Sequence, residues 1–308
     1  MTKNGQDNPF KLSDEEQKRV ESFIRSELDI IAAKLELVPE GDDNFRIQQP
    51  ELPPVAYLKL VEAEILILQE GSLEEVQASL EKLYTQFPEN MAIRLVYAKS
   101  LLSIDPEEVE EARYLVLFEK AISLLGINMN AVLGKLDELG YETPEDVRIV
   151  GKYEENLPFL ASLDLLGEQQ EIMGNYDQAI QLATLQLNFD PDDVFFIRNR
   201  LVDCFLICNE PGMVLEFCQF YKWDDGPTIL YGKALALHMT NDAKAHVALQ
   251  KAIIKHPHYA YEIADMEAPE TLEDDEDFDF DQAEFLHDLW NEVEGAINFL
   301  KKGLRKRK

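Results

Sequence analysis

Positive charge is what this sequence has least of. Lys and Arg together number 29 against 60 Asp and Glu, a formal net charge of −31 over 308 residues. A chain built around nucleic-acid phosphates needs clustered Lys and Arg, so that class is disfavoured. An anionic membrane surface is disfavoured for the same reason. Cysteine is rarer still. Three thiols, an odd number, cannot form a disulfide framework, and they point to a reducing, cytoplasmic setting. Gly and Pro, at 14 each, are too few for a low-complexity or collagen-like chain. No run of eighteen apolar residues occurs, so no membrane-spanning segment is expected. The polar opening Met1 to Gln17 has no apolar signal core. Nucleophile elbows, zinc-binding helices and dinucleotide fingerprints are also absent. The stretch Gly226 to Ala234 has the wrong spacing for a phosphate loop, and it lacks the hydroxyl that such a loop gives to magnesium.

What is present is helical pattern. Apolar residues make up 46% of the chain, enough for a substantial core, and they recur at helical rather than strand spacing. Ser13-Asp14-Glu15-Glu16 has capping-box order. A helix should follow it with Phe23, Ile24, Leu28, Ile31 and Leu35 on one side, ending near Val38-Pro39-Glu40-Gly41. Gln48 to Pro54 reads as an extended linker, because proline disfavours helix in the residue before it. The first helix is therefore expected to be a cap or an arm.

The stretch 165–193 then carries a helix–turn–helix signature. Leu166-Gly167 lies in the first helix and the turn falls at Gly174-Asn175. Tyr176 and the small Ala179 follow in the second helix, and Pro191 closes the unit. This resembles the tetratricopeptide repeat of 34 residues. Leu163 replaces its early Trp and Gln186 a late small residue. Related units are expected at 57–90 with Gly71 at the turn, at 194–225 with Cys208-Asn209-Glu210, and at 226–259 with Thr240-Asn241-Asp242. A pair with a longer turn, Ser103 to Pro106, is expected at 91–125. A degenerate pair turning at Gly140 to Pro144 is expected at 126–158.

The blocks at 191–210, 223–239 and 245–263 are similar to the tetratricopeptide region of the suppressor-of-tumorigenicity-seven family and its bacterial relatives. Pro191, Asp193, Arg198, Leu201, Tyr231, Ala234, Leu235, Ala252, Pro257 and His258 carry the likeness. Ala283, Trp290, Gly295, Ala296 and Phe299 extend it to the closing segment. The resemblance covers roughly the last 120 residues and implies a repeat scaffold without a catalytic motif.

The expected fold is all-α, a right-handed tetratricopeptide-like solenoid of about six or seven helix pairs. Residues 1–54 would form the N-terminal helix and linker, 55–264 the solenoid, and 265–308 an acidic segment, terminal helix and basic tail. First helices of such pairs line a concave groove. The expected contact residues are Arg198, Asn199, Val202, Tyr231 and Lys233, with Leu58, Val61 and Ile65 as an apolar subsite. Arg198 could grip a partner's carboxylate or brace Asp192, Asp193 or Asp164 internally. Asp164, Glu168 and Glu171 count against a groove that grips acidic chaperone tails.

The other polar features have plain readings. Residues 256–300 hold fifteen Asp and Glu and no Lys or Arg, and the acidic segment within them, Glu267 to Glu284, reads as a solvated linker more than a calcium loop. Phe278 and Phe280 could still dock onto the repeats. The end, 301–308, carries six positive charges, and a solvated tail or a mate for the acidic run is favoured over targeting. Cys204, Cys208 and Cys218 fall at apolar positions and read as core. The His256-Pro257-His258 pair suits a helix end. No metal or cofactor is expected. The function expected is non-enzymatic, a scaffold or adaptor binding a protein or peptide segment. The alternative is a nucleic-acid-associated factor, or an acidic nucleic-acid mimic, acting through the charged C-terminal extension.

Overall fold

The computed structural model describes residues 14–41, 43–69, 72–141, 146–270, 272 and 278–305. Among these the chain forms fourteen α-helices and one two-stranded hairpin, so it is overwhelmingly helical. The chain divides into two compact units. The first comprises residues 1–168 with 188–192, and the second 169–187 with 193–308.

In the first unit, α1 (Asp14–Ala32) precedes β1 (Glu36–Gly41) and β2 (Asn44–Gln48). Next come α2 (Pro54–Leu68), α3 (Leu73–Gln86), α4 (Met91–Leu102) and the long α5 (Glu111–Glu138). The hairpin corrects the expected helix end near Gly41. Leu37 pairs with Ile47 and Pro39 with Phe45, and the register shifts between Pro39 and Gly41. Left-handed backbone at Gly41 (φ 89°) and Asp43 (φ 59°) turns the chain. Phe45 and Ile47 point inward and are buried, while Asn44, Arg46 and Gln48 alternate outward. The fully buried Asn156, from a single 3₁₀ turn at Glu154–Asn156, holds the strand in place. Its Oδ1 accepts from Ile47 N at 2.8 Å, and its Nδ2 donates to the carbonyls of Phe45 and Val150 at 3.0 Å.

Helix α1 packs on α5 and is tied to α3 and α4 through one charge. Arg94 of α4 is fully buried. Its Nη2 lies 3.2 Å from Glu27 Oε2 and also donates to the Pro88 carbonyl. The Tyr84 hydroxyl donates to the same Glu27 oxygen, and the guanidinium lies 5.6 Å from the Tyr84 ring centre. Burial, helped by Glu27, pushes the Tyr84 hydroxyl above its ordinary value. The N-terminal helix is therefore an integrated part of this unit, because removing it would strand a buried cation.

Helix α5 replaces the second half of one expected pair and the first half of the next. It runs unbroken to Glu138 and ends at Gly140 in left-handed backbone, with Tyr141 N donating to the Leu136 carbonyl at 3.0 Å. The expected pair at 126–158 is therefore not formed. Among the described residues α5 alone is long and apolar enough, by length and composition, to cross a membrane. Charged residues such as Glu119 and Lys120 interrupt its apolar sequence. Its buried face, from Ala121 to Leu136, packs on α4 and α1.

Helices α6 (Leu157–Ile172) and α7 (Tyr176–Phe189) lead into the second unit. There α8 (Ile197–Ile207), α9 (Pro211–Phe220), α10 (Pro227–Met239), α11 (Ala245–Lys255), α12 (Pro257–Ile263), α13 (Phe280–Glu292) and α14 (Ala296–Arg305) follow. One turn recurs where α6, α8 and α10 end. Gly174, Asn209 and Asn241 adopt left-handed backbone, and the next residue's N–H reaches back five residues to a carbonyl at 2.8 to 2.9 Å. Gly and Asn are the residues that tolerate that conformation. These turns fall where the repeat pattern puts them. Gly71, Glu142 to Pro144, Glu273 to Asp277, Ser13 and Lys306 to Lys308 lie outside the described residues.

Residues 278–305 pack into the second unit. Helix α13 packs on α8, α10 and α12, and α14 packs on α11, α12 and α13. Leu286, Trp290, Ala296 and Leu300 are fully buried in the same core as α8 to α12. Phe278 docks against the ring of Tyr259 at 5.0 Å, whereas Phe280 stays more than half exposed. Lys301 to Arg305 belong to α14, so the basic end begins as packed helix.

Helices α8 and α10 approach closely at Gly232, where an added Cβ would lie 2.5 Å from Val202 Cγ1. Replacing Gly by Ala inside a helix gains about 1 kcal/mol of propensity. Overpacking a dense core costs about 1–3 kcal/mol, and a 2.5 Å contact belongs at the upper end. Gly232→Ala is therefore expected to lower stability in a denaturant titration. The double variant with Val202→Ala should lose less than the sum of the single losses.

Candidate functional site

The expected contact residues fall on three separate surfaces or inside the core. Val202 and Tyr231 are fully buried and cannot touch a partner. Val202 fills the space left by Gly232. Tyr231 lies beneath the C-terminal segment: its ring centre is 6.3 Å from that of Trp290 on α13, and its hydroxyl donates to the His256 carbonyl at 2.7 Å. Phe205 and Ala234, their neighbours on α8 and α10, are buried as well. Helix α13 packs on α8 and α10, the helices expected to present that groove, and also on α12.

Arg198 and Asn199 line an open cleft of about 1000 Å³ in the second unit. Its geometry starts at Asp193, in left-handed backbone at φ 60°. The Asp193 carboxylate accepts from Ile197 N at 2.6 Å and from Arg198 N at 3.1 Å, satisfying the free N–H groups that open α8. Phe196 also has positive φ, 56°, a strained backbone for a bulky side chain, and its ring is 71% exposed. The Arg198 guanidinium sits over two rings, 4.7 Å from the Trp223 centre and 5.3 Å from that of Tyr221. Its Nε lies 3.2 Å from Asp193 Oδ2 and 3.0 Å from Asp224 Oδ2. These are ion-pair distances at angles that do not make hydrogen bonds.

Arg198 is thus the internal brace, with Asp193 as expected and Asp224 in addition. Its charge is matched within the fold rather than held free for a partner's carboxylate. On the far wall, Lys255 Nζ meets Asp225 Oδ2 at 2.6 Å and His256 Nε2 lies 2.7 Å from the Asp225 carbonyl. The Lys255 bond holds the Asp225 carboxyl below its ordinary range. Trp223, 65% exposed, lines this cleft and is not among the expected contact residues. A Trp directly after a helical stretch and before two Asp was its only signal.

Lys233 faces elsewhere. It stands two residues from Tyr231, about 200° around the helix. It lines a second cleft between α9, α10 and α11, so Arg198 and Lys233 do not share a groove. Leu58 and Ile65 lie on α2 in the first unit and are 65% and 46% exposed, with Val61 half-buried between them. Tyr57 (58%) and Leu68 (80%) continue that face. Helix α2 is apolar nearly all round, yet it buries only Ala56, Leu60 and Ala63.

The thiols are chemically quiet. Burial, with Glu171 adding, pushes Cys204 up to about 12. Burial pushes Cys218 up to about 11. Both stay protonated and unreactive at neutral pH. Among the described residues no group of three or more His, Cys, Asp and Glu could hold a metal ion.

No protein-family model matches the chain, and no curated protein matches it.

One carboxyl in the second unit has a measurable signature. Arg200 Nε meets Glu171 Oε1 at 2.7 Å, and Asp203 lies beside that pair. Asp203 Oδ1 is buried and finds no hydrogen-bond donor among the described residues. Burial, with Glu171 adding and Arg200 opposing, pushes the Asp203 carboxyl well above its ordinary range. A folded-state pKa above the unfolded value removes stability as pH rises from about 4 through the folded pKa. Asp203→Asn is therefore expected to raise stability by about 1–2 kcal/mol at neutral pH. The gain should disappear near pH 4, as read by thermal melts across that range.

Proposed function

We propose that the chain is a non-catalytic interaction scaffold of tetratricopeptide-like repeats, related to the suppressor-of-tumorigenicity-seven family and its bacterial relatives. The recurring turns at Gly174, Asn209 and Asn241 support the repeat reading. The observation that carries the function is the exposed face of α2. Tyr57, Leu58, Ile65 and Leu68 stand open at helical spacing, with Val61 half-buried among them. The end of a repeat array needs a polar outer face to remain soluble alone. This one is apolar, the chemistry of a surface that a partner covers.

The proposed partner is a protein or peptide segment that lays aliphatic or aromatic side chains on α2, in the manner of a helix against a groove. The α2 face takes over the role first expected of the concave groove, whose Tyr231 side is occupied by α13.

The test is affinity capture with wild type and with Leu58→Asp/Ile65→Asp. Both positions are solvent-exposed, so circular dichroism should be unchanged. A protein recovered by wild type and lost by the variant, with competition by untagged wild type, is the expected result. Equal recovery of the same protein by both would exclude α2 as the interface.

A further inference from the structure

Lys233 opens onto a cleft of about 490 Å³ whose chemistry is unlike the rest of the molecule. The walls are apolar, with Leu215 from α9, Leu230 and Leu237 from α10, and Val247 and Ala248 from α11. Val247 is 72% exposed and forms a projecting apolar rim. Three cations, Lys233, Lys244 and Lys251, line the same cleft. Asp242 is the one acid among its lining residues, and its Oδ1 is engaged by Lys244 N at 2.7 Å.

Acids outnumber bases 60 to 29 in this chain, yet here bases outnumber acids three to one. Among the described residues none of the three lysines lies within ion-pair distance of a carboxylate. Two of them act at longer range. The field of Lys251 lowers the Asp225 carboxyl and that of Lys233 opposes the rise of the Cys218 thiol. The cations are therefore available to something outside the fold. Exposed charges beyond about 8 Å are largely screened at physiological salt, so the local lysines outweigh the distant acidic surface.

We propose that this cleft docks an acidic amphipathic peptide segment of a partner protein. One or two large apolar side chains would enter between α9 and α11, with Asp or Glu on either side meeting Lys233, Lys244 and Lys251. Charge complementarity selects this occupant: a basic segment would face three like charges, and a neutral apolar one would leave the lysines unmatched. The volume holds a few side chains. The site is separate from the α2 face and does not rest on it.

The probe is a short fluorescein-labelled peptide with Leu and Phe at helical spacing and Asp or Glu elsewhere. Its control replaces each acid by the matching amide. Anisotropy titration against the full chain is expected to show the acidic probe binding about tenfold more tightly than the amide control. Lys233→Glu/Lys251→Glu should abolish that preference. Lys244→Glu/Lys251→Glu changes only exposed side chains and should do the same if the half-buried position disturbs folding. Replacing the lysines by Arg should retain binding, as should Leu58→Asp/Ile65→Asp. Equal binding of acidic and amide probes, or full binding by both charge-reversed variants, would overturn the proposal. Failure of wild type to bind the acidic probe would also overturn it and leave the α2 reading standing.

Discussion

The packing of Trp290 on Tyr231 decides what the second unit can present. Both side chains are fully buried, their rings cross at 73°, and the indole lies parallel to the Phe299 ring at 6.4 Å. One aromatic cluster thus joins α10, α13 and α14. Aromatic side chains of this size dominate core energetics, and edge-to-face pairs add about 0.5–1.5 kcal/mol beyond area burial. With α13 seated there, the inner side of α10 becomes core, and only its opposite side is left to line a cleft. The Tyr259 hydroxyl fixes the approach of α13 by donating to Gln282 Oε1 at 2.8 Å and accepting from Asp279 N at 3.2 Å.

Charge is the second constraint. A chain with 60 acidic residues must prevent self-repulsion from opening it, and its few cations are placed with consequence. Arg94 ties α1 to α3 and α4 from a fully buried position. Arg198 braces the start of α8 against Asp224 between two aromatic rings. These two are internal struts: removing Arg94 would leave Glu27 without its cation, and removing Arg198 would leave Asp193 and Asp224 without theirs. Lys233, Lys244 and Lys251 instead gather around apolar surface, away from any carboxylate at ion-pair distance among the described residues.

Local signals are legible in the sequence, and long-range ones are less so. The turns at Gly174, Asn209 and Asn241 were legible because left-handed backbone demands Gly or Asn and the helices on either side have clear periodicity. The hairpin was legible in principle, since Phe45 and Ile47 alternate with Arg46 and Gln48 behind a Gly-Asp-Asp turn. The surrounding helical pattern and Pro39 masked it. Asp193, five residues before Arg198, was one of three acids legible as internal partners for it, whereas Asp224 and Trp223 come from a distant turn. The burial of Tyr231 could not be read from α10 at all. It depends on α13, some fifty residues onward and beyond an acidic stretch that reads as solvated.

The central claim is that α13 lies on α10 with its indole excluded from water. The sequence has two Trp, so Trp223→Phe leaves Trp290 as the sole indole reporter in the full chain. Its fluorescence should be blue-shifted and nearly inaccessible to acrylamide under native conditions, becoming red-shifted and readily quenched in guanidinium. Native emission and quenching equal to those of the unfolded chain would contradict the account, because the indole would then stand in solvent and the inner side of α10 would be open.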